Sequence, residues 1–168
     1  MVEVMIPVPV APAVHDGVTI VAAAPQARFS LRARAATGLP AAIMSTAEID
    51  HGTALCLGPD EWLLLLSAGA PAPVPASVHA VTDVSHRAIG LILDGPNAAA
   101  LLQTGCPLDL SLPTFPVGRA TRTLFETVEI IVWRQSPTRF RIETWRSFAP
   151  WLWEALNLAA GDLLTPAA

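Results

Sequence analysis

The chain contains no lysine and no tyrosine, and these two absences exclude several kinds of chemistry. All ten basic residues among the 168 are arginines, so neither a Schiff-base lysine nor the lysine of a phosphate-binding loop is possible. Without tyrosine there is no phenolic acid or base. Glycines stand singly beside prolines at 58–59, 95–96 and 105–107, which is typical of turns and helix ends and not of a dinucleotide-binding motif.

Charge is also scarce, because charged residues make up only 14% of the chain and the net charge is -4. A protein that binds a nucleic-acid backbone needs a concentrated positive face. We therefore expect no nucleic-acid partner.

No apolar run is long enough to cross a membrane. A transmembrane helix needs about 20 apolar residues, whereas the best stretch, 62–78, is interrupted by Pro71, Pro73 and Pro75. Residues 1–12 lack the basic leader and apolar core of a secretory signal. We expect no membrane association and a cytoplasmic location.

Cysteine is rare as well. Cys56 and Cys106 are fifty positions apart, with no second cysteine or histidine nearby at metal-ligand spacing. This pattern predicts two buried free thiols in preference to a zinc site or a redox pair.

What the chain has in excess is apolar surface. Hydrophobic residues make up 52% and the mean hydropathy is +0.49, although a soluble domain usually carries about a quarter charged residues. The length suits one domain or two small lobes that share a core. Since large apolar patches mark contacts with other proteins, the composition predicts burial against partner subunits.

Hydrophobic periodicity predicts eight strands and two helices. The strands are expected at 18–23, 28–34, 53–57, 62–66, 88–93, 119–125, 127–134 and 139–144. The helices are expected from about Asn97 to Thr104, and from a cap at Ser147 to about Ala160, with Gly161 ending the second. The pattern between Gly38 and Asp50 is weak.

Hairpin-length connections between the strands indicate antiparallel sheets with helices packed on them, which is an α+β fold. A stretch rich in alanine and proline, at 67–77, is a loop or linker. It predicts two small lobes with their boundary near 67–80.

Asp83, Ser85 and His86 are the residue types of a hydrolytic triad, but they stand on one short segment. A triad is assembled from distant parts of a fold, with the base between the other two groups. We favour a turn in which Asp83 and Ser85 bond to nearby backbone amides.

The last predicted helix carries an apolar stripe with a tryptophan on either side of it, Trp151 and Trp153. One sheet is not expected to cover both rings, and tryptophan is enriched at interface centres. We favour a contact between subunits here, and the alternative is a ring that stacks on a ligand.

Arg139, Arg141 and Arg146 alternate with apolar residues, so we expect them to share one solvent or partner face. Glu126, Glu129 and Glu143 are candidates to neutralise them across the strands; these three glutamates lie on neighbouring predicted segments. The alternative is that the three arginines bind a carboxylate ligand.

Four motifs then follow one another along the chain: LGPDEWLL at 57–64, DVSHR at 83–87, GCPLDL at 105–110, and RSFA at 146–149 followed by Leu152-Trp153. Together they resemble the gamma subunits of heterotetrameric sarcosine oxidases. The resemblance spans about 28–160 and includes FPVG at 115–118 and Arg122-Thr123, although Ala120 stands where a residue such as cysteine is expected. Residues 1–27 match nothing in that pattern, and 28–168 form the gamma-like domain.

This resemblance implies a fold similar to that of the folate-binding glycine-cleavage aminomethyltransferase. It implies a complex that oxidises the N-methyl group of sarcosine, giving glycine, hydrogen peroxide and either formaldehyde or methylene-tetrahydrofolate. FAD, FMN and NAD are expected in the alpha and beta subunits, zinc in the delta subunit and tetrahydrofolate in a partner subunit, with no cofactor in this chain. The chain itself is then an assembly subunit that is not catalytic.

The resemblance also marks the motif positions of interest: Asp60, Trp62, Asp83, His86, Arg87, Asp109, Arg146 and Phe148. Trp151 and Trp153 join them as candidate interface residues. We expect more of these positions to be structural than functional, with 57–64 forming a tight hairpin and 105–110 a helix stop. The alternative function is a stand-alone folate-binding or aminomethyltransferase-like protein.

Overall fold

The structure is a computed structural model that describes residues 7–34, 37–71 and 79–163. It contains eleven strands and two helices in these ranges: β1 Ala13–His15, β2 Val18–Ala22, β3 Ala27–Ala33, β4 Thr46–Ile49, β5 Gly52–Gly58, β6 Glu61–Leu66, β7 His79–Asp83, β8 Ala88–Asp94, α1 Ala98–Gln103, β9 Ala120–Phe125, β10 Val128–Arg134, β11 Arg139–Trp145 and α2 Ala149–Asp162. Within these ranges, no helix is both long and apolar enough to cross a membrane.

The larger sheet has six strands in the order β1-β2-β8-β11-β10-β9, and every neighbouring pair is antiparallel. Both helices pack on one face of it. Because successive side chains of a strand point to opposite faces, Phe140 and Ile142 of β11 face the helices, where they meet Leu101 of α1 and Leu152 and Leu156 of α2.

The smaller sheet has five strands in the order β4-β5-β6-β3-β7. Its central strand β6 is buried on both faces: Leu63 and Leu65 belong to one apolar cluster, and Leu64 and Leu66 to another on the opposite side. The loop before β4 covers the outer face, where the Trp62 indole Nε1 donates a hydrogen bond of 2.8 Å to the carbonyl of Pro40.

The two sheets pack against each other through the faces that carry no helices. Leu63 and Leu65 of β6 meet Ala120, Ile131 and Trp133 of the larger sheet. The result is a layered α+β fold with two sheets, as the sequence predicts.

A buried ion cluster joins the sheets beside this apolar contact. Arg28 of β3 and Arg141 of β11 are 5% and 7% exposed. Their Nε atoms donate to the two carboxylate oxygens of Glu143, at 2.6 Å and 2.7 Å. Gly90 of β8 makes room, since a Cβ there would lie 2.7 Å from Glu143 Oε1.

This cluster corrects the expectation that Arg139, Arg141 and Arg146 share one solvent or partner face. Arg139 is exposed and pairs with Asp94 at 2.7 Å, whereas Arg141 faces the second sheet. Period-two alternation tells which side of a sheet a residue occupies but not whether another sheet covers that side. Of the three glutamates proposed as partners, Glu143 does neutralise Arg141.

Three strands were not predicted: β1, β4 and β7. β1 has only three residues, and little in the sequence of the other two is periodic. β4 lies in the weak region between Gly38 and Asp50, and β7 is an edge strand whose side chains are mostly exposed. β7 pairs with β3, so both sides of the predicted lobe boundary contribute to the smaller sheet. Residues 72–78 of that boundary lie outside the described residues.

The ends of α2 also differ from the prediction. Phe148, and not Ser147, occupies the cap position, with no side-chain capping bond, and Gly161 lies inside the helix. Pro150 in the first turn needs no amide partner and pre-sets the helical backbone there. The helix therefore starts without the hydroxyl cap that its sequence suggests.

Neutralising Glu143 is expected to destabilise the fold strongly. Glu143→Gln leaves Arg28 and Arg141 buried without their counter-charge, and breaking a buried ion pair costs about 3–5 kcal/mol of unfolding free energy. Urea denaturation measures this loss. Asp94→Asn is the matched control, because the Asp94–Arg139 pair is about half exposed and such pairs contribute at most about 1 kcal/mol. Equal, small losses for both variants would contradict this account of the cluster.

Candidate functional site

Two of the four sequence motifs meet at one place, although 59 positions separate Arg87 from Arg146. The loop after β7 and the turn after β11 are joined by a hydrogen bond of 2.7 Å from the Arg146 amide to the Arg87 carbonyl. The Arg87 guanidinium lies 4.1 Å from the centre of the Trp145 ring, a cation–π contact. The antiparallel pairing of β11 with β8 brings these two segments together.

Three aromatic rings beside this junction are substantially exposed. Trp145, Phe148 and Trp151, here called the aromatic patch, have exposures of 40%, 39% and 42%. Trp145 and Phe148 are stacked, with ring centres 5.8 Å apart, and Trp151 follows Phe148 by three residues, which places both on one side of the helix start.

Trp153 does not belong to this patch, which corrects the interface predicted around both helix tryptophans. It is 6% exposed and packs in the core between α2 and the larger sheet. The buried stripe of α2 consists of Ala149, Leu152, Trp153, Leu156 and Ala160. The buried face of α2 therefore includes Trp153, which shares the core cluster with Leu152 and Leu156.

The segment 83–87 forms a turn and not a triad. Asp83 accepts a hydrogen bond of 2.8 Å from the Ser85 amide, and the Ser85 hydroxyl oxygen accepts one of 2.9 Å from the Arg28 amide. Hydrogen bonds from the Ser85 hydroxyl and amide hold the pKa of Asp83 below its ordinary value. Ser85 thus fastens the loop to β3, while His86 and Arg87 are exposed.

The first cavity, of about 260 Å³, opens between the two sheets beside Arg87 and Trp145. A chain of ion pairs crosses its rim. Glu61 of the hairpin motif lies 2.7 Å from Arg122 and 3.0 Å from Arg32, and Arg122 lies 3.7 Å from Glu129. Acidic and basic groups therefore neutralise each other at this rim.

The second cavity, of about 220 Å³, lies on the other side of the junction. Its charged or titratable lining residues are Arg28, His86 and Arg146, with Gln26 and Ser85 as neutral polar groups. No acidic residue lines it in the part of the chain that the structure describes.

The remaining candidate residues have structural contacts. Asp60 pairs with Arg32 at 3.0 Å on the exposed end of the hairpin, and the Trp62 ring is buried with its indole bonded to Pro40. Asp109 accepts a hydrogen bond of 2.9 Å from the Ser111 amide, which, with the Ser111 and Thr114 hydroxyls, lowers the pKa of Asp109. It holds the loop after α1 and lies apart from the junction.

The loop after α1 is fixed by an arginine that the sequence analysis did not single out. Arg134 is almost completely buried, and it donates hydrogen bonds to the carbonyls of Leu110 and Pro137. Its guanidinium lies 4.2 Å from the Phe140 ring centre, and burial lowers its pKa. An arginine at the end of a predicted half-buried strand gives no signal of such a role.

Both cysteines are free and buried, which confirms the prediction. Burial raises the pKa of the Cys56 thiol, so that side chain stays protonated at neutral pH. Among the residues that the structure describes, no three histidine, cysteine, aspartate or glutamate side chains are grouped to hold a metal ion.

Comparison of the fold identifies its class. It is similar to the aminomethyltransferase T of the glycine cleavage system from Bartonella henselae, with a TM-score of 0.60, 16% identity, and coverage of 88% of this chain and 50% of that one. The fold is therefore of the aminomethyltransferase type, as the resemblance implies. A shared fold at this identity does not transfer a folate site.

Two further comparisons identify the family. A chain of the heterotetrameric sarcosine oxidase from Corynebacterium sp. U-96, solved in complex with pyrrole 2-carboxylate, matches with a TM-score of 0.76 and 26% identity over 93% of this chain and 90% of that one. The sarcosine oxidase subunit gamma of Corynebacterium sp. (strain U-96) is 37% identical over 142 residues, which are 76% of this chain and 68% of the relative.

The model of the sarcosine oxidase, gamma subunit family matches residues 21–162. The chain belongs to this family. The match begins at 21, within β2, whereas the sequence resemblance spans about 28–160.

The Glu61–Arg122 pair predicts a specific dependence of stability on pH. The hydrogen bond from Arg122, and then the charges of Arg122 and Arg32, lower the pKa of Glu61 from its ordinary value of 4.5. A carboxylate whose pKa is lower in the folded state stabilises it above the unfolded-state pKa, and this stabilisation is lost as the pH falls through the folded-state pKa.

Glu61→Gln is therefore expected to lower the urea midpoint at pH 7 and to reduce the further loss of stability below about pH 4.5. Arg122→Gln should do the same, and the double variant should lose less than the sum of the two. Additive losses at pH 7 would show that the two side chains are not coupled.

Proposed function

We propose that this chain is the gamma subunit of a heterotetrameric sarcosine oxidase, in which it supports assembly and carries out no chemistry itself. The observation that supports this most strongly is the family match over residues 21–162. The agreement of fold over 93% of the chain with one chain of a solved heterotetramer supports it further. The complex would oxidise the N-methyl group of sarcosine, releasing glycine and hydrogen peroxide together with formaldehyde or methylene-tetrahydrofolate.

In this proposal the partners are the alpha, beta and delta subunits, and they hold FAD, FMN, NAD, tetrahydrofolate and zinc. The two cavities described above measure about 260 and 220 Å³. Both are smaller than the roughly 300 Å³ at which pockets for drug-sized ligands begin. A flavin or a dinucleotide is too large for either cavity. The reduced thiols of this chain suit the cytoplasm, where we place the complex.

The aromatic patch is the surface that we assign to a partner subunit. Stacked rings with a neighbouring arginine are typical of interface centres, where tryptophan and arginine carry much of the binding energy. Trp145 and Phe148 are already fixed by their mutual stacking and by Arg87. Little side-chain entropy is then lost when a partner covers them.

Co-expression with the other three subunits tests the proposal. A tag on this chain is expected to recover a yellow complex that produces hydrogen peroxide from sarcosine. Trp151→Glu should reduce the recovered flavoprotein at least about tenfold. The variant loses the contact between the indole ring and the partner, and it places a carboxylate where the interface excludes water.

Val14→Glu is the matched control. Val14 is 76% exposed. It pairs with Thr19 of β2, and both Thr19 and Arg139 pair with Asp94 of β8. Val14 is therefore level with the Arg139 end of β11, which is six residues along that strand from Trp145. It should leave recovery unchanged. Failure of the unaltered chain to recover any flavoprotein would overturn the proposed function, whereas equal recovery with Trp151→Glu would overturn only the assignment of the patch.

A further inference from the structure

One row of side chains runs across the mouth of the first cavity. Leu124 pairs with Glu129 in the larger sheet, and the register of β10 with β11 brings Glu129 level with Trp145. Trp145 follows Glu143 by two residues, so this row is on the face that the smaller sheet packs against. Leu124 and Glu129 are each 45% exposed. The exposed row therefore extends from the aromatic patch to the edge of the larger sheet.

Arg87 lies against this row, and its charge is not matched within the described chain. The residue is exposed and lines the cavity, and its guanidinium is 4.1 Å from the centre of the Trp145 ring. Its amide donates a hydrogen bond of 3.0 Å to the Val84 carbonyl, and its carbonyl accepts one of 2.7 Å from the Arg146 amide. No aspartate or glutamate among the described residues forms an ion pair with it. The backbone is thus fixed, while the guanidinium has no acidic partner there.

Arg122, the other arginine in the described lining of this cavity, is matched within the chain. It lies 2.7 Å from Glu61 and 3.7 Å from Glu129. Arg87 meets the face of a ring instead. A ring face attracts a cation, but it is only a weak hydrogen-bond acceptor.

Covering the aromatic patch would remove water from Arg87 as well. Its guanidinium lies on Trp145, so a partner surface that contacts this ring displaces the water around the arginine. A guanidinium has five N–H donors, and a buried charge without a hydrogen-bonded counter-charge is strongly destabilising. A wholly apolar partner surface would therefore bind this patch poorly, because the partner has to supply an acceptor.

We propose that the partner subunit places an aspartate or glutamate side chain against Arg87, surrounded by apolar side chains that cover Trp145, Phe148 and Trp151. A carboxylate suits this position because it neutralises the charge and accepts two parallel N–H bonds from one guanidinium. This inference rests on the proposed function and specifies the chemistry of the partner at the aromatic patch.

Recovery of flavoprotein by the tagged chain, co-expressed with the other three subunits, tests the role of the charge. Arg87→Gln is expected to lower recovery at least about tenfold, since it leaves the partner's carboxylate covered and unpaired. Arg87→Lys should lower recovery less, because an ammonium keeps the charge but not the paired geometry. Arg139→Gln is the matched control and should leave recovery unchanged, because Arg139 is an exposed arginine at the opposite end of β11 that pairs with Asp94.

Cross-linking then identifies the acidic residue. The chain has no lysine, so Arg87→Lys introduces the only one, provided that the tag is also free of lysine. A carbodiimide joins an amine directly to a carboxylate, so the product is an amide bond between position 87 and the acidic residue that it contacts. Mass spectrometry of the recovered complex is expected to find this bond to an aspartate or glutamate of a partner subunit. In the Arg139→Lys complex, no bond from position 139 to a partner is expected.

A folding measurement separates loss of contact from loss of structure. Arg87→Gln should leave the urea midpoint of the chain nearly unchanged, because an exposed cation–π contact contributes little to stability. Reduced recovery then reports the contact with the partner and not unfolding.

Equal recovery with Arg87→Gln and with the unaltered chain would overturn this inference and leave the proposed function intact. The same holds for an equal loss in Arg87→Gln and Arg87→Lys, because the charge would then not be what the partner recognises. A recovered Arg87→Lys complex in which position 87 is joined to no partner carboxylate, or only to this chain or a second copy of it, would also overturn the inference. Failure of the unaltered chain to recover any flavoprotein would instead overturn the proposed function, on which the inference depends.

Discussion

The fold depends on the pairing of one buried glutamate with two arginines where the two sheets meet. Glu143 receives Arg28 from the smaller sheet and Arg141 from its own strand. An ion pair in this setting gains little free energy over a well-packed apolar contact, but it penalises any arrangement that leaves a charge alone. It therefore selects one alignment of β3 against β11. Gly90 selects one alignment of β8 in a similar way, because only a residue without a Cβ leaves room for the Glu143 carboxylate there.

That alignment also brings the candidate sites together. With β3 fixed on β11, the amide of Arg28 meets Ser85, so the loop of 83–87 is held over the end of the larger sheet. The register of β11 with β8 places Trp145 opposite Ala88, and Arg87 then lies over the Trp145 ring. The two cavities lie on either side of this junction. Residues far apart in sequence become neighbours because the sheet contact, and not the local chain, sets their positions.

Sequence reasoning located most of the strands, both helices and the fold class, since these follow from periodicity and turn chemistry that act over a few residues. Period-two alternation puts Arg28 and Phe29 on opposite faces of β3, and in the structure Arg28 pairs with Glu143 while Phe29 packs against the outer apolar cluster. It could not tell that the arginine face would be covered, because covering depends on a second sheet formed elsewhere in the chain. The same limit explains Trp153, whose burial depends on the space above the sheet. The resemblance to a family supplied the motifs, and the structure shows which of them meet.

The unusual apolar content now has a physical account that is mostly internal to the chain. The larger sheet is covered by helices on one face and by the smaller sheet on the other, and β6 is buried on both of its faces. A layered arrangement of this kind needs apolar side chains on both sides of its central strands, as strands buried on both faces do in general. Most of the excess apolar side chains are buried between these layers. A partner is therefore indicated less by composition than by the aromatic patch, where large rings remain exposed although the rest of the fold has buried its tryptophans at 62 and 153.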